Sequence, residues 1–157
     1  MSLIVQKYGG SSLSTPLRIR EMASRISKRK KQGDDLVVVV SAMGNETDKL
    51  LKLAHEVSQN PPARELDMLL SVGERISMSL LSMALHDLGE PAISFTGSQS
   101  GIVTDTVHTN ARILEVKADR IKQELGTGKV VIVAGFQGVS VDREITTLGR
   151  GGSDVTR

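Results

Sequence analysis

The chain has 157 residues and a formal net charge of +2 at pH 7; 39% of the residues are hydrophobic and 24% are charged. This composition is typical of a soluble globular domain, and so small a charge with so few aromatic residues argues against nucleic-acid binding. The absence of cysteine excludes disulfides and thiolate-bound zinc and favours a cytoplasmic location. The histidines are isolated, so we predict no metal site, and no apolar run approaches the roughly 20 residues that cross a bilayer.

The first part of the chain alternates between strand and helix patterns. A short apolar run at 3–7 opens the chain, and Thr15 followed by Pro16 is typical of a helix N-terminus. The spacing of the next apolar residues predicts a helix that ends before Gly33. Residues 36–40 are apolar on both faces, which predicts a buried strand of a parallel sheet.

Three further helices are predicted from apolar residues at helical spacing. The second is predicted around residues 50–57, before the prolines at 61 and 62. The third is predicted over about 64–88 and the fourth over 111–125, and glycines follow both. The apolar side of the third helix is expected to contain Leu66, Leu69, Leu70, Gly73, Leu80, Met83 and Ala84.

Strands are predicted at 92–95, 102–104 and 130–134, and residues 139–147 are predicted to form a hairpin that turns near Asp142. Strands separated by helices of ten or more residues indicate βαβ crossovers. The predicted fold class is therefore α/β, a three-layer αβα sandwich with a mostly parallel central sheet.

Two glycine-rich loops follow predicted strands at opposite ends of the chain. The first contains residues 7–12 and the second residues 148–154, and each carries one cation next to small hydroxyl residues. Glycine lets backbone N–H groups approach an anion, and the Arg150 guanidinium is suited to a carboxylate. We predict a site for two anionic partners, such as a nucleotide phosphate and a carboxylate; two tight turns are the alternative. Neither loop has the spacing of a P-loop or a Rossmann motif.

Three polar residues between these loops are also candidates for the site. Ser41 follows the strand at 36–40, at the end where open α/β sheets bind ligands, and Thr47 lies shortly after it; either residue could instead cap a helix. Glu74 interrupts an apolar row that includes Leu70 and Met78. A buried carboxylate needs a partner, which a ligand ammonium or an ion pair within the fold could supply.

Five short motifs occur in order along the chain: KYGGSS, VVVVSAM, SVGER, VAGFQG and TLGRGGSD. Together they resemble those of the aspartate kinases in the amino-acid-kinase superfamily, over essentially the whole chain. The resemblance implies transfer of the γ-phosphoryl group of Mg²⁺-bound ATP to the β-carboxylate of L-aspartate. That reaction is the first step toward lysine, methionine and threonine.

The resemblance also implies a role for each candidate residue. Lys7, with Tyr8, Gly9 and Gly10, would contact the ATP phosphates, and Lys7 would stabilise the transferring group. Thr47 and Glu74 would bind aspartate, with Glu74 on its α-ammonium. In the same site, Ser41, Gly151, Gly152 and Ser153 would line the substrate pocket, Arg150 would bind the α-carboxylate and Asp154 would organise the catalytic lysine.

Aspartate kinases continue beyond the last motif into a nucleotide-binding half and ACT regulatory domains. We therefore expect residues 1–157 to form the amino-acid-binding part of a kinase domain, nearly inactive by itself and homo-oligomeric through exposed strand edges. One alternative is a related kinase that acts on another carboxylate, a carbamate or a nucleoside monophosphate. Another is a non-catalytic subunit that binds a ligand or a partner chain.

Overall fold

The computed structural model describes residues 1–149, in which helices and strands alternate along the chain. In chain order, the elements are β1 (Leu3–Tyr8), a 3-10 helix (Gly10–Leu13), α1 (Pro16–Lys30), β2 (Asp35–Val40), α2 (Glu46–Val57), α3 (Ala63–Leu70), α4 (Val72–Asp87), β3 (Ala92–Phe95), β4 (Ile102–Thr104), β5 (Ile113–Val116), α5 (Asp119–Gly126), β6 (Val130–Ala134), β7 (Gln137–Ser140) and β8 (Ile145–Thr147).

Strands β1, β2, β6 and β3 form the central sheet in that order, and all three pairings are parallel. An aligned row of Val5, Val37, Val131 and Ile93 crosses the sheet. The two middle strands, β2 and β6, are buried almost throughout, as expected for β-branched residues with both faces covered. The predicted α/β class with a mostly parallel sheet is confirmed.

Each face of the central sheet packs against a separate hydrophobic cluster. On one face, α1 and α4 contact the side chains of Leu36, Val38 and Ile132. On the other face, α5, β4 and β5 cover the alternate residues Val37 and Val133. The strands β5, β4, β7 and β8 form a second, mixed sheet, which the sequence patterns do not predict.

Several local predictions are confirmed. Helix α1 begins as expected, because the Thr15 hydroxyl accepts a 3.1 Å hydrogen bond from the Arg18 backbone N–H and Pro16 occupies the first helical position. The predicted hairpin is formed by β7 and β8, which pair antiparallel on either side of Asp142. Strand β1 lies at an edge of the central sheet: within residues 1–149 it has one neighbour, and both Leu3 and Val5 are exposed.

The prediction of one helix over 111–125 is wrong. Residues Ile113–Val116 form β5, which pairs antiparallel with β4, and the helix α5 begins only at Asp119. The apolar residues of this segment fit helical spacing, but Ile113 packs into the core from a strand. Pairing with the preceding strand β4 therefore overrides the local pattern.

The predicted helix over about 64–88 is interrupted at Ser71, and its buried side differs from the expected one. Leu80 and Met83 are exposed, whereas Ser77, Leu81 and Leu85 face the core. The stretch Ala63–Asp87 is also long and apolar enough to cross a membrane by length and composition alone. It packs against α1 and β3, as a core helix does.

Candidate functional site

The loops that follow β1 and β2 meet at the carboxyl edge of the central sheet, where open α/β folds bind ligands. The Ser41 N–H donates to the Tyr8 carbonyl at 3.1 Å, and the Gly44 N–H donates to the Gly10 carbonyl at 2.8 Å. A Cβ on Gly10 would lie 2.6 Å from the carbonyl oxygen of Gly44 and 2.9 Å from that of Ala42. Only glycine therefore allows the two loops to lie so close together.

The start of helix α4 packs against the same edge. A Cβ on Gly73 would lie 2.8 Å from the Ala42 Cβ, so the absence of a side chain brings the first turn of α4 onto the loop. The Ser77 hydroxyl donates a 2.7 Å hydrogen bond to the Ser41 carbonyl and fixes the helix there. These contacts place Glu74, on the first turn of α4, beside the loop that follows β2.

Glu74 is 2% exposed, and its Oε2 atom has no hydrogen-bond partner within residues 1–149. Burial raises the pKa of the Glu74 carboxyl to about 8, since removal from water penalises the charged form. The Glu74 carboxyl also accepts hydrogen bonds from the backbone of Glu74 and Ala42 and from the Gln137 side chain. These hydrogen bonds lower its pKa, but by less than burial raises it. The sequence allowed an ion pair within the fold as the partner of Glu74, and residues 1–149 contain no such pair.

A cavity of about 360 Å³ opens at this edge, within the usual size range of a small-molecule site. It brings together four residues predicted from sequence, namely Gly10, Ser41, Thr47 and Glu74. The full lining consists of Gly10, Ser41, Ala42, Gly44, Thr47, Asp48, Leu51, Leu70, Glu74, Thr109, Phe136, Thr147 and Leu148.

The hydroxyls of Ser41 and Thr47 are not helix caps in the part of the chain that the structure describes. Helix α2 begins after Asn45, whose side chain makes no capping hydrogen bond, and Thr47 already lies within the first turn. Both residues are half-buried and line the cavity. Neither hydroxyl therefore caps helix α2, and both residues belong to the lining of the cavity.

The other residues of the first glycine loop lie next to the cavity without lining it. Lys7 is half-buried near the carboxyl end of β1, opposite Val39 in the sheet register. The Tyr8 side chain packs against the core beneath α1, and burial raises the pKa of its hydroxyl. Gly9 immediately precedes the 3-10 helix, and its carbonyl accepts from the Ser12 N–H.

The second glycine loop is described only up to Gly149. The predicted site residues Arg150, Gly151, Gly152, Ser153 and Asp154 lie outside the described residues, and their roles remain predictions. Among residues 1–149, no group of three or more His, Asp or Glu side chains is placed to hold a metal ion.

The lining residues that sequence reasoning missed include Thr109, Phe136 and Thr147. Thr109 and Phe136 both have left-handed backbones, with φ of 65° and 69°. It also missed Asp67, a fully buried carboxylate that holds Thr109 and Thr147 by hydrogen bonds. Asp67 could have been found from sequence, because it lies between Leu66 and Met68 just as Glu74 lies in an apolar row.

These features define an α/β domain with a candidate ligand cavity, and comparison with known proteins identifies its class. The profile of the amino acid kinase family matches residues 2–156, so the chain belongs to that family. Within the family, the expected resemblance to aspartate kinases is confirmed. The chain is 58% identical over 157 residues to the aspartokinase of Mycolicibacterium smegmatis, an alignment that covers 99% of this chain and 37% of that protein.

Solved structures agree with this assignment. The aspartate kinase of Synechocystis superimposes with a TM-score of 0.84 at 48% identity, covering 98% of this chain and 25% of that one. E. coli aspartokinase III in complex with aspartate and ADP has the same fold, with a TM-score of 0.84 at 22% identity over 97% of this chain and 44% of that one. The chain thus spans little more than a third of the curated relative's length.

Proposed function

We propose that this chain is the amino-acid-binding part of an aspartate kinase and that L-aspartate binds in the 360 Å³ cavity. One observation carries the proposal: the buried Glu74 carboxylate lines that cavity with an oxygen that has no partner within residues 1–149. A buried unpaired carboxylate is costly, and an ammonium group of a ligand would offset that cost. The complex of E. coli aspartokinase III with aspartate and ADP supports this choice of ligand.

In this proposal, the described residues divide between the two ends of the amino acid. Glu74 holds the α-ammonium, while the hydroxyls of Ser41 and Thr47 donate to carboxylate oxygens. Arg150 would bind the α-carboxylate, and Gly151, Gly152 and Ser153 would complete the pocket.

The reacting β-carboxylate would point toward the loop at Gly9 and Gly10, where the phosphates of Mg²⁺-bound ATP would lie. Lys7, oriented by Asp154, would neutralise charge on the γ-phosphoryl group during in-line transfer. Such a transfer needs little covalent chemistry from the protein, so positioning and charge neutralisation would account for most of the catalysis.

The complete reaction, the homo-oligomeric state and a cytoplasmic location are parts of the same proposal. Residues 1–157 would provide most of the amino-acid site and only the Lys7–Gly10 portion of the nucleotide site. For this reason we expect weak L-aspartate binding and little or no ATP turnover from the chain alone.

Calorimetric titration of the chain with L-aspartate and with succinate tests the proposal, because succinate lacks the ammonium group. We expect L-aspartate to bind more tightly, and Glu74→Gln to remove most of this preference. Glu56→Gln, at an exposed site on α2, is the matched control and should leave the preference for L-aspartate over succinate unchanged. Equal binding of the two ligands, or preference for a carbamate or a nucleoside monophosphate, would contradict the proposal.

A further inference from the structure

A strained residue at the cavity has no role in the proposed function as stated above. Thr109 has φ of 65°, a left-handed conformation that glycine adopts freely and a β-branched residue rarely adopts. Such backbones persist only where the surrounding structure holds them, and they cluster at ligand sites. Thr109 also lines the cavity that contains Glu74.

Asp67 on α3 supplies the restraint. Its fully buried carboxylate accepts from the Thr109 backbone N–H, at 3.1 Å from each oxygen, and from the Thr147 hydroxyl. A 2.6 Å hydrogen bond joins the same carboxylate to Nδ1 of His108. Three partners therefore converge on one buried group, and two of them come from the turn that contains Thr109.

The two threonines that Asp67 holds at the cavity differ in what their hydroxyls do. The Thr147 hydroxyl donates its proton to Asp67, so it cannot also donate to a ligand. The Thr109 hydroxyl makes no hydrogen bond to any other residue in the range 1–149, and the residue is exposed at the cavity. It is thus a donor held in place beside the site and available to an anionic group.

We infer that Thr109 is a substrate-contacting residue of this cavity, and that Asp67 is the positioning residue that holds it there. The inference rests on the proposed function, in which the ligand is an amino dicarboxylate. The Thr109 hydroxyl donates to a carboxylate oxygen of the ligand, while Glu74 on α4 holds the ammonium. A site that pairs each charged group of the ligand in this way discriminates strongly against analogues that lack one.

Thr109→Ala and Thr109→Ser form a matched pair for the test. Both changes remove the branched carbon and relieve the left-handed strain to a similar degree, and they differ from each other only in the hydroxyl. In calorimetric titrations of the whole chain with L-aspartate, we expect roughly tenfold weaker binding for Thr109→Ala. Thr109→Ser should bind within about twofold of the parent chain.

Arg143→Ala is the control for strain, because Arg143 has φ of 64° in the exposed turn between β7 and β8. The Arg143→Ala chain should bind L-aspartate with the same affinity as the parent chain. Thermal unfolding of every variant shows whether it is folded. Equal affinities for Thr109→Ala and Thr109→Ser would overturn the contact.

The positioning role of Asp67 is tested by Asp67→Asn in two backgrounds. If Asp67 acts through Thr109, the substitution weakens binding in the Thr109→Ser chain and has little further effect in the Thr109→Ala chain. A loss of the same size in both chains, or no loss in either, would overturn this role.

Titrations with succinate and inorganic phosphate separate this inference from the proposed function. Suppose that the parent chain binds succinate or phosphate and does not bind L-aspartate, and that Thr109→Ala weakens this binding. The proposed function then fails, whereas the contact between Thr109 and the ligand stands. If L-aspartate binds equally well to parent and Thr109→Ala chains, the contact alone fails. Absence of binding for all three probes would overturn both.

Discussion

The side-chain amide of Gln137 donates a 3.0 Å hydrogen bond to the carbonyl oxygen of Ser71, the residue that separates α3 from α4. Ser71 is also the N-cap residue of α4, the position whose carbonyl accepts the first hydrogen bond of a helix. The same amide also hydrogen-bonds the Glu74 carboxylate, so Gln137 links the start of α4 to the site acid.

Replacing Gln137 with methionine removes the amide while keeping the length of the side chain. The Ser71 carbonyl and Glu74 would each lose a donor in a buried environment, so we expect the free energy of unfolding to fall by about 1–3 kcal/mol. Urea denaturation measures this change. Gln123→Met, an exposed site on α5, should change stability by less than about 0.5 kcal/mol. An equally small change for Gln137→Met would show that the amide contributes little to holding the start of α4 in place.

The raised pKa of Glu74 predicts a specific pH dependence of stability. Its pKa rises from 4.5 to about 8 on folding, so between these values the folded chain binds one more proton than the unfolded chain. This carboxyl therefore lowers stability as pH increases through that window, by at most about 1.4 kcal/mol per pH unit.

Glu74→Gln removes this titration and should make the chain more stable than the parent at pH 7–8, with a smaller difference at pH 5. Urea denaturation at several pH values measures both chains. Glu56→Gln should follow the parent curve, since its side chain is exposed. A constant difference between Glu74→Gln and the parent across pH 5–8 would mean that Glu74 does not titrate in this window.

Gly10→Ala tests the close approach of the loops that follow β1 and β2. The new Cβ would lie 2.6 Å from a backbone oxygen that cannot rotate away, so we expect a loss of about 1–3 kcal/mol of stability and weaker ligand binding. Gly126→Ala is the control, because no atom lies within 4 Å of its added Cβ. Thermal unfolding and titration with L-aspartate measure the two effects. Unchanged values for Gly10→Ala would show that the loops can separate without consequence.

The elements that were predicted correctly from the sequence are those that their own residues determine. Strand β6 is apolar at every position, and the N-terminus of α1 is set by a threonine and a proline next to each other. Segment 111–125 has an apolar pattern that suits a helix, but β5 forms because β4 offers it a partner. Local spacing cannot show that partner.

The same distinction applies to the site. Gly10, Ser41, Thr47 and Glu74 were predictable because each follows a strand or interrupts an apolar row, and the structure brings all four to one cavity. Thr109 was not predictable, since its left-handed backbone depends on Asp67, which lies 42 residues earlier in the chain. The residues next to Thr109 do not indicate its backbone conformation, because a buried carboxylate far away in the sequence imposes it.

The edge of the central sheet leads to a prediction about self-association. Strand β1 has an unpaired side within residues 1–149, where Leu3 is 64% exposed and Val5 42% exposed. Both residues border an apolar groove of about 360 Å³, which is also lined by Val37 and Val116. Exposed apolar edge strands pair readily with other chains. We therefore expect the chain to form a dimer or a larger oligomer through β1.

Val5→Lys should shift the chain toward a monomer, because a lysine on the edge would have to be buried when a second chain pairs with β1. Light scattering coupled to size-exclusion chromatography measures the mass of each species. Leu17→Lys is the matched control: Leu17 is 58% exposed on α1, and its replacement should leave the oligomer intact. A monodisperse monomer for the parent chain would contradict association altogether. An unchanged oligomer in Val5→Lys would place the contact elsewhere, for example on the exposed apolar row of Met68, Val72 and Ile76.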